Sequence, residues 1–110
     1  RRLCPHCRER QTAAPALIRS LGFVPAGTGA EIFFQSRGCP RCQGTGFSGR
    51  VGIFEWLPVT EALRDAIGSG APLSIVRQAA QQAPRRTLRD EAWRLVEAGE
   101  TSLAEIARHV

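Results

Sequence analysis

The four cysteines of this chain fall into two C-x-x-C pairs, Cys4-Pro5-His6-Cys7 and Cys39-Pro40-Arg41-Cys42, with residues 8–38 between them. Two residues between thiols let one turn aim both sulfurs at a single point. Backbone N–H groups of the same turn can then donate to the sulfurs. Two such knuckles brought together make a tetrahedral S₄ site with metal–sulfur distances of about 2.3 Å, and thiolate softness favours zinc over magnesium or calcium. Disulfides, an iron–sulfur centre and a thioredoxin-like redox pair are the alternatives. A redox C-x-x-C should follow a strand and open a helix that lowers the thiol pKa. Gln43-Gly44-Thr45-Gly46, directly after Cys42, is a poor helix start. The favoured reading is one structural zinc held by Cys4, Cys7, Cys39 and Cys42, a closed site with no open position for catalysis. It places the chain in a reducing compartment. His6, between two ligands, is expected to turn outward, and His109 to be a solvated helix residue.

A chain of 110 residues with 43% apolar positions builds one small domain or two very small ones, and a core of that size is marginal without a staple. It contains no apolar run of about 18 residues, so no membrane-spanning helix is expected. It begins Arg1-Arg2-Leu3 rather than with Met, and is read as a piece of something longer.

The net charge is +5, and all 15 basic residues are Arg. A GC-rich coding sequence accounts for that bias without functional pressure. The distribution is uneven: residues 1–50 hold eight Arg against Glu9 and Glu31, whereas residues 51–110 hold seven Arg and eight acids. The basic half could face phosphates or an acidic protein surface, through Arg8, Arg10, Arg19, Arg37 and Arg41. No basic strand rich in aromatics is present, so nucleic acid is not expected as a partner.

Local signals suggest an α+β fold, mainly α. Residues 12–21 read as a helix with Thr12 at its cap and Gly22 just past its end. Residues 23–30 read as a loop. Glu31–Ser36 and Arg50–Leu57 read as strands that pair across the second knuckle, with Trp56 in the core. After Pro58 the period becomes helical. Thr60 caps a helix to Ile67, with Leu63 and Ile67 on one face. Pro72 opens a second helix through Gln82, with Leu73, Val76 and Ala80 inward. Thr87 and Asp90 resemble a capping box for a third, through Ala98, with Leu88, Ala92, Leu95 and Val96 as its stripe. Ser102 and Glu105 form another S-x-x-E box before Leu103, Ile106 and Val110. The expected organisation is a zinc-stapled unit over 1–57, with a helix and a short antiparallel β pair, followed by a compact bundle of short helices over 58–110.

Gly44-Thr45-Gly46-Phe47-Ser48-Gly49 matches G-x-G-x-x-G letter for letter. A knuckle precedes it and a strand-like run follows, so the helix N-terminus that would hold a pyrophosphate is missing. Its glycines are read as letting the backbone fold back tightly after the knuckle. Cys39 to Gly46 also matches the C-x-x-C-x-G-x-G repeat of DnaJ-type chaperones. Those carry four repeats and this chain one, which leaves a freestanding zinc-binding chaperone or nucleic-acid-binding module as the alternative function.

Taken together, the motifs resemble the C-terminal end of the secretion ATPases of the GspE/PilB family. The matching residues are Leu3-Cys4-Pro5-His6-Cys7, Gly38-Cys39-Pro40-Arg41-Cys42 and Gly46-Phe47-Ser48-Gly49-Arg50-Val51-Gly52-Ile53-Phe54-Glu55. Thr87-Leu88-Arg89-Asp90 and the run from Val96 to Ile106 resemble two further family segments. The resemblance implies a type II secretion or type IV pilus assembly ATPase, cytoplasmic, hexameric, and docked on an inner-membrane secretion platform. Its partners would be hexamer neighbours, platform proteins and a RecA-like motor domain upstream of Arg1, which would bind ATP and magnesium. The present sequence lacks G-x-x-x-x-G-K-[ST], so this region is expected to be non-catalytic. Arg50 falls on the Arg of the family's G-R-x-G-I-x-E segment and is expected to approach the motor's nucleotide by stacking or a charge contact. The competing reading pairs Arg50 with Glu55 or another local acid. Glu55 is read as structural, and Asp90 as a helix cap.

Overall fold

The computed structural model describes residues 1–24 and 31–109. The fold is α+β with helices predominating. In chain order it comprises β1 (Arg8–Ala13), α1 (Pro15–Ser20), β2 (Glu31–Ser36), a 3₁₀ turn (Pro40–Cys42), α2 (Glu61–Gly68), α3 (Leu73–Gln82), α4 (Leu88–Glu97) and α5 (Leu103–Ile106). The expected loop at 23–30 lies outside the described residues from position 25 onward, as does Val110 at the end of the last expected helix.

The antiparallel pair is present, but β2 takes a different partner from the one expected. It pairs with β1, in the register Arg8↔Ser36 through Ala13↔Glu31. Arg50–Leu57 forms no strand, and makes only an isolated bridge from Trp56 to Arg86. The polar run Arg8-Glu9-Arg10-Gln11 has no apolar alternation. Its strand is stabilised by the ladder and not by local preference. Because Thr12 is taken into β1, α1 is shorter than the helix expected over 12–21. It opens instead with Pro15 in its first turn after Ala14.

Packing groups Arg1–Ile53 with the segment from Arg89 onward, and Phe54–Leu88 forms a second compact unit. This grouping departs from a division at Pro58, because α4 and α5 belong to the core of the first unit. That core is Ala13, Ile18, Phe23 and Phe33 with Ala92, Val96 and Ile106. Trp93 completes it, stacked on Phe23 at 5.0 Å and set edge-on to Phe33 at 5.4 Å between ring centroids. Such aromatic pairs add stabilisation beyond the area they bury.

The second unit is thinner. Thr60 caps α2 by accepting from the Leu63 N–H at 3.3 Å, and Leu63 and Ala83 are its buried apolar residues. Two residues expected to face inward do not: Trp56 is 57% exposed and Leu73 62%; Ile67, expected on one face with buried Leu63, is 57% exposed. Trp56 lies on an extended segment without a ladder partner, which leaves its ring uncovered.

Candidate metal centre

The β1–β2 ladder builds the site. Cys7 directly precedes Arg8 of β1, and β2 ends at Ser36, three residues before Cys39. Pairing of Arg8 with Ser36 at the open end of the ladder therefore delivers the two knuckles side by side. The first knuckle is closed by the Cys7 and Arg8 N–H groups donating to the Cys4 carbonyl at 3.3 and 3.0 Å. The second is the 3₁₀ turn after Cys39, left through Gln43 in the left-handed region at φ 54°.

The four sulfurs converge. Cys4 and Cys39 Sγ are 4.0 Å apart, Cys7 and Cys42 3.8 Å, and Cys39 and Cys42 3.8 Å. All four lie within 4.8 Å of one another. Ligands at about 2.3 Å around a tetrahedral ion stand about 3.8 Å from each other, so the thiols match a zinc-sized site. A disulfide needs about 2.05 Å, and the four thiols are free. The redox alternative fails on local structure: Cys42 closes a three-residue 3₁₀ turn and opens no helix that would lower a thiol pKa.

Burial drives the Cys7 thiol up to about 12, with the Gly38 N–H countering only in part. Burial also pushes Cys42 up, but the N–H groups of Cys39 and Gly46 and the neighbouring thiols outweigh it and hold Cys42 at about 6. Both N–H groups stand 3.2 Å from Cys42 Sγ. Burial and the local N–H groups thus set the two thiols apart. A metal dication held by the four sulfurs would favour the thiolate form of all of them. Gly46 belongs to this cradle through its positive φ of 76°, and a Cβ there would come within 2.5 Å of Ser36 Cβ. The G-x-G-x-x-G glycines thus serve the knuckle, and no helix follows them.

His6 is exposed, with its Nε2 3.1 Å from Arg41, and the cluster consists of the four cysteines. Of the expected basic surface, Arg8 and Arg37 are engaged within the fold. Arg8 donates to the Gly99 carbonyl at 2.6 Å and lies over the Phe34 ring, and Arg37 pairs with Glu9 at 2.8 Å. Arg10, Arg19 and Arg41 remain exposed.

Arg50 is apart from the sulfurs. It is exposed, has no ion-pair or hydrogen-bond partner among the described residues, and borders a cleft of about 480 Å³ with Arg1, Thr45, Phe47 and Gly49. Glu55, its expected competitor partner, instead sits 3.8 Å from Arg85 and accepts from the Leu88 N–H at 3.4 Å.

One group near the knuckles escaped sequence reasoning. Arg1 makes a bidentate contact with buried Glu105, at 2.9 and 2.8 Å, and lies 4.2 Å over the Phe47 ring. Glu105 shows in the sequence only as a cap signal. Its N–H does meet Ser102 Oγ, at 3.2 Å, but its carboxylate turns to Arg1.

Four cysteines clustered on a two-stranded ladder form a group that could hold one metal ion. The model of the type II/IV secretion system protein family matches residues 1–108. The chain belongs to that family. It is 33% identical over 106 residues to a type IV pilus assembly ATPase PilB of Thermus thermophilus, covering 96% of this chain and 12% of the relative. It is 37% identical over 111 residues to a type II secretion system protein E of Klebsiella pneumoniae and to a type II secretion system ATPase E of Vibrio cholerae. Each of those matches covers 98% of this chain and 21% of the relative. The chain therefore spans between about an eighth and about a fifth of the length of these three relatives. The match runs through the knuckles and the helices alike, which removes the ground for the chaperone alternative.

Proposed function

We propose that this chain is the zinc-stapled, non-catalytic C-terminal region of an ATPase that powers type II secretion or type IV pilus assembly. The observation that carries the reading is the convergence of Cys4, Cys7, Cys39 and Cys42 at tetrahedral spacing in a chain of that family. These four thiolates would hold the ion, whose role is to bind the two knuckles into one body. The parent protein would carry a RecA-like motor that binds ATP and magnesium. It would work as a cytoplasmic hexamer docked on an inner-membrane secretion platform, with this module presenting a rigid surface to a neighbouring subunit or a platform protein. The exposed Arg10, Arg19 and Arg41 suit an acidic partner. Elemental analysis of reduced protein should find one zinc per chain, and chelation should lower the melting temperature of the first unit. Protein purified without metal, or a melting temperature that chelation leaves unchanged, would end this reading.

Arg50, exposed and unpaired, fits a contact to the nucleotide held by that motor. In the full-length protein, Arg50→Ala should weaken ATP binding by about tenfold, the scale of one charge-assisted contact. Equal nucleotide affinity in the variant rejects this role.

A further inference from the structure

We propose that the segment 99–105, the turn after α4 together with the start of α5, is a remote part of the metal site: it holds the first knuckle ready for the ion, with Glu105 of α5 as the positioning residue. The inference rests on the reading of the thiol cluster as a zinc site.

Both flanks of the first knuckle are tied to this turn. On the leading side, the Leu3 N–H donates to the Glu100 carbonyl at 2.8 Å. Thr101 Oγ1 donates to the Arg1 carbonyl at 2.8 Å, and Arg2 pairs with Glu100 at 2.6 Å. The Arg1 guanidinium grips both carboxylate oxygens of Glu105. On the trailing side, Arg8 reaches the Gly99 carbonyl. Between these anchors stand Cys4 and Cys7.

The same leading segment is bonded to the exit of the second knuckle. The Arg2 N–H donates to the Gly49 carbonyl at 3.1 Å, the Ser48 N–H to the Arg2 carbonyl at 2.9 Å, and the Cys4 N–H to the Gly46 carbonyl at 3.0 Å. Gly46 in turn donates to Cys42 Sγ. Residues 1–4 therefore form a shared layer between the second knuckle and the α4–α5 turn. Without those bonds residues 1–8 would be less constrained, and metal binding would then have to fix them. With the turn in place, that ordering precedes the ion. Glu105 is buried at 5% exposure while the Arg1 side chain is 47% exposed, so the pair is sheltered from water on the carboxylate side, and its two-pronged geometry adds strength. Linkage makes the effect reciprocal: what the turn contributes to metal affinity, the metal contributes to the docking of the turn.

The test is a zinc competition titration against a chromophoric chelator, on the 110-residue chain, for wild type and Glu105→Gln. Val96→Ala serves as the reference, because it weakens the same core without touching residues 1–8. Zinc affinity in Glu105→Gln should fall about fivefold or more beyond the loss in Val96→Ala, while cobalt substitution still shows a tetrahedral thiolate spectrum. A loss no greater than in Val96→Ala overturns the proposal while the zinc reading stands. Wild type that takes up no zinc overturns both. If Glu105→Gln does not fold, Thr101→Val carries the test: it should also bind zinc more weakly than Val96→Ala, and an affinity equal to that reference overturns the proposal.

Discussion

Glu105 is the residue at which local and distant demands meet. Its N–H completes the Ser102 cap of α5, and its carboxylate is committed to Arg1 at the far end of the chain. The hydrogen bond from the Arg1 guanidinium lowers its pKa from the ordinary 4.5 to about 2, although burial pulls the other way, and the α-ammonium of Arg1, 3.1 Å from Oε1, adds to the lowering. A carboxylate with a depressed folded-state pKa binds fewer protons folded than unfolded. Its contribution is therefore complete above the unfolded value and is lost as pH falls through the folded one. The stability gap between wild type and Glu105→Gln should be full at neutral pH, shrink below about pH 5, and close near about pH 2. Thiolates also take up protons in acid and release metal, and the two proteins differ in zinc affinity, so the comparison is made on their metal-free forms. Urea titrations of the two proteins across this range check it, and a gap that does not change with pH would refute the assignment.

Among the elements, the helices and β2 were readable and the strand that pairs with β2 was not, for a physical reason. The caps of α2 and α5 are local: Thr60 and Ser102 each bond an N–H three residues on, a spacing visible in the sequence. The C-x-x-C knuckles are local as well, and the preference of four thiolates for one soft ion is the reason to expect them to converge. The strand β1 carries no such signal. Its residues Arg8-Glu9-Arg10-Gln11 look like a solvated run, and only the return of β2 makes them a strand. The apolar run Arg50–Leu57 shows the converse, since β-rich composition without a partner forms no ladder. The bond between Arg1 and Glu105 spans the whole chain, so no window of sequence contains it. The same distance explains why α4 and α5 read as part of a C-terminal bundle while packing on Ile18, Phe23 and Phe33. Once β1 and β2 set the first unit, Ala92 and Val96 supply the apolar face it still lacks.

At the scale of the molecule, stability is unevenly shared. The first unit has an aromatic-centred core, a tetrathiol staple and a bidentate ion pair. The second, Phe54–Leu88, buries Leu63 and Ala83, while Phe54, Trp56, Val59, Ile67, Leu73 and Ile75 remain exposed. Apolar surface left in water contributes nothing to folding, whereas each fully buried side chain of this size contributes about 1.5–3 kcal/mol. A unit of that length with so thin a core sits near the limit of independent stability. Amides buried in little apolar structure open by local fluctuation and not by global unfolding. In zinc-loaded protein, hydrogen exchange should therefore be faster in α2 and α3 than in α4, whose Ala92 and Val96 are fully enclosed. The difference should be at least about a hundredfold in protection, the equivalent of about 2.7 kcal/mol. Chelating the metal should narrow the gap by lowering protection in α4, and leave α2 and α3 nearly as they were. Equal protection in the two units before chelation would contradict this account, since it would require the exposed side chains of Phe54–Leu88 to be covered in solution.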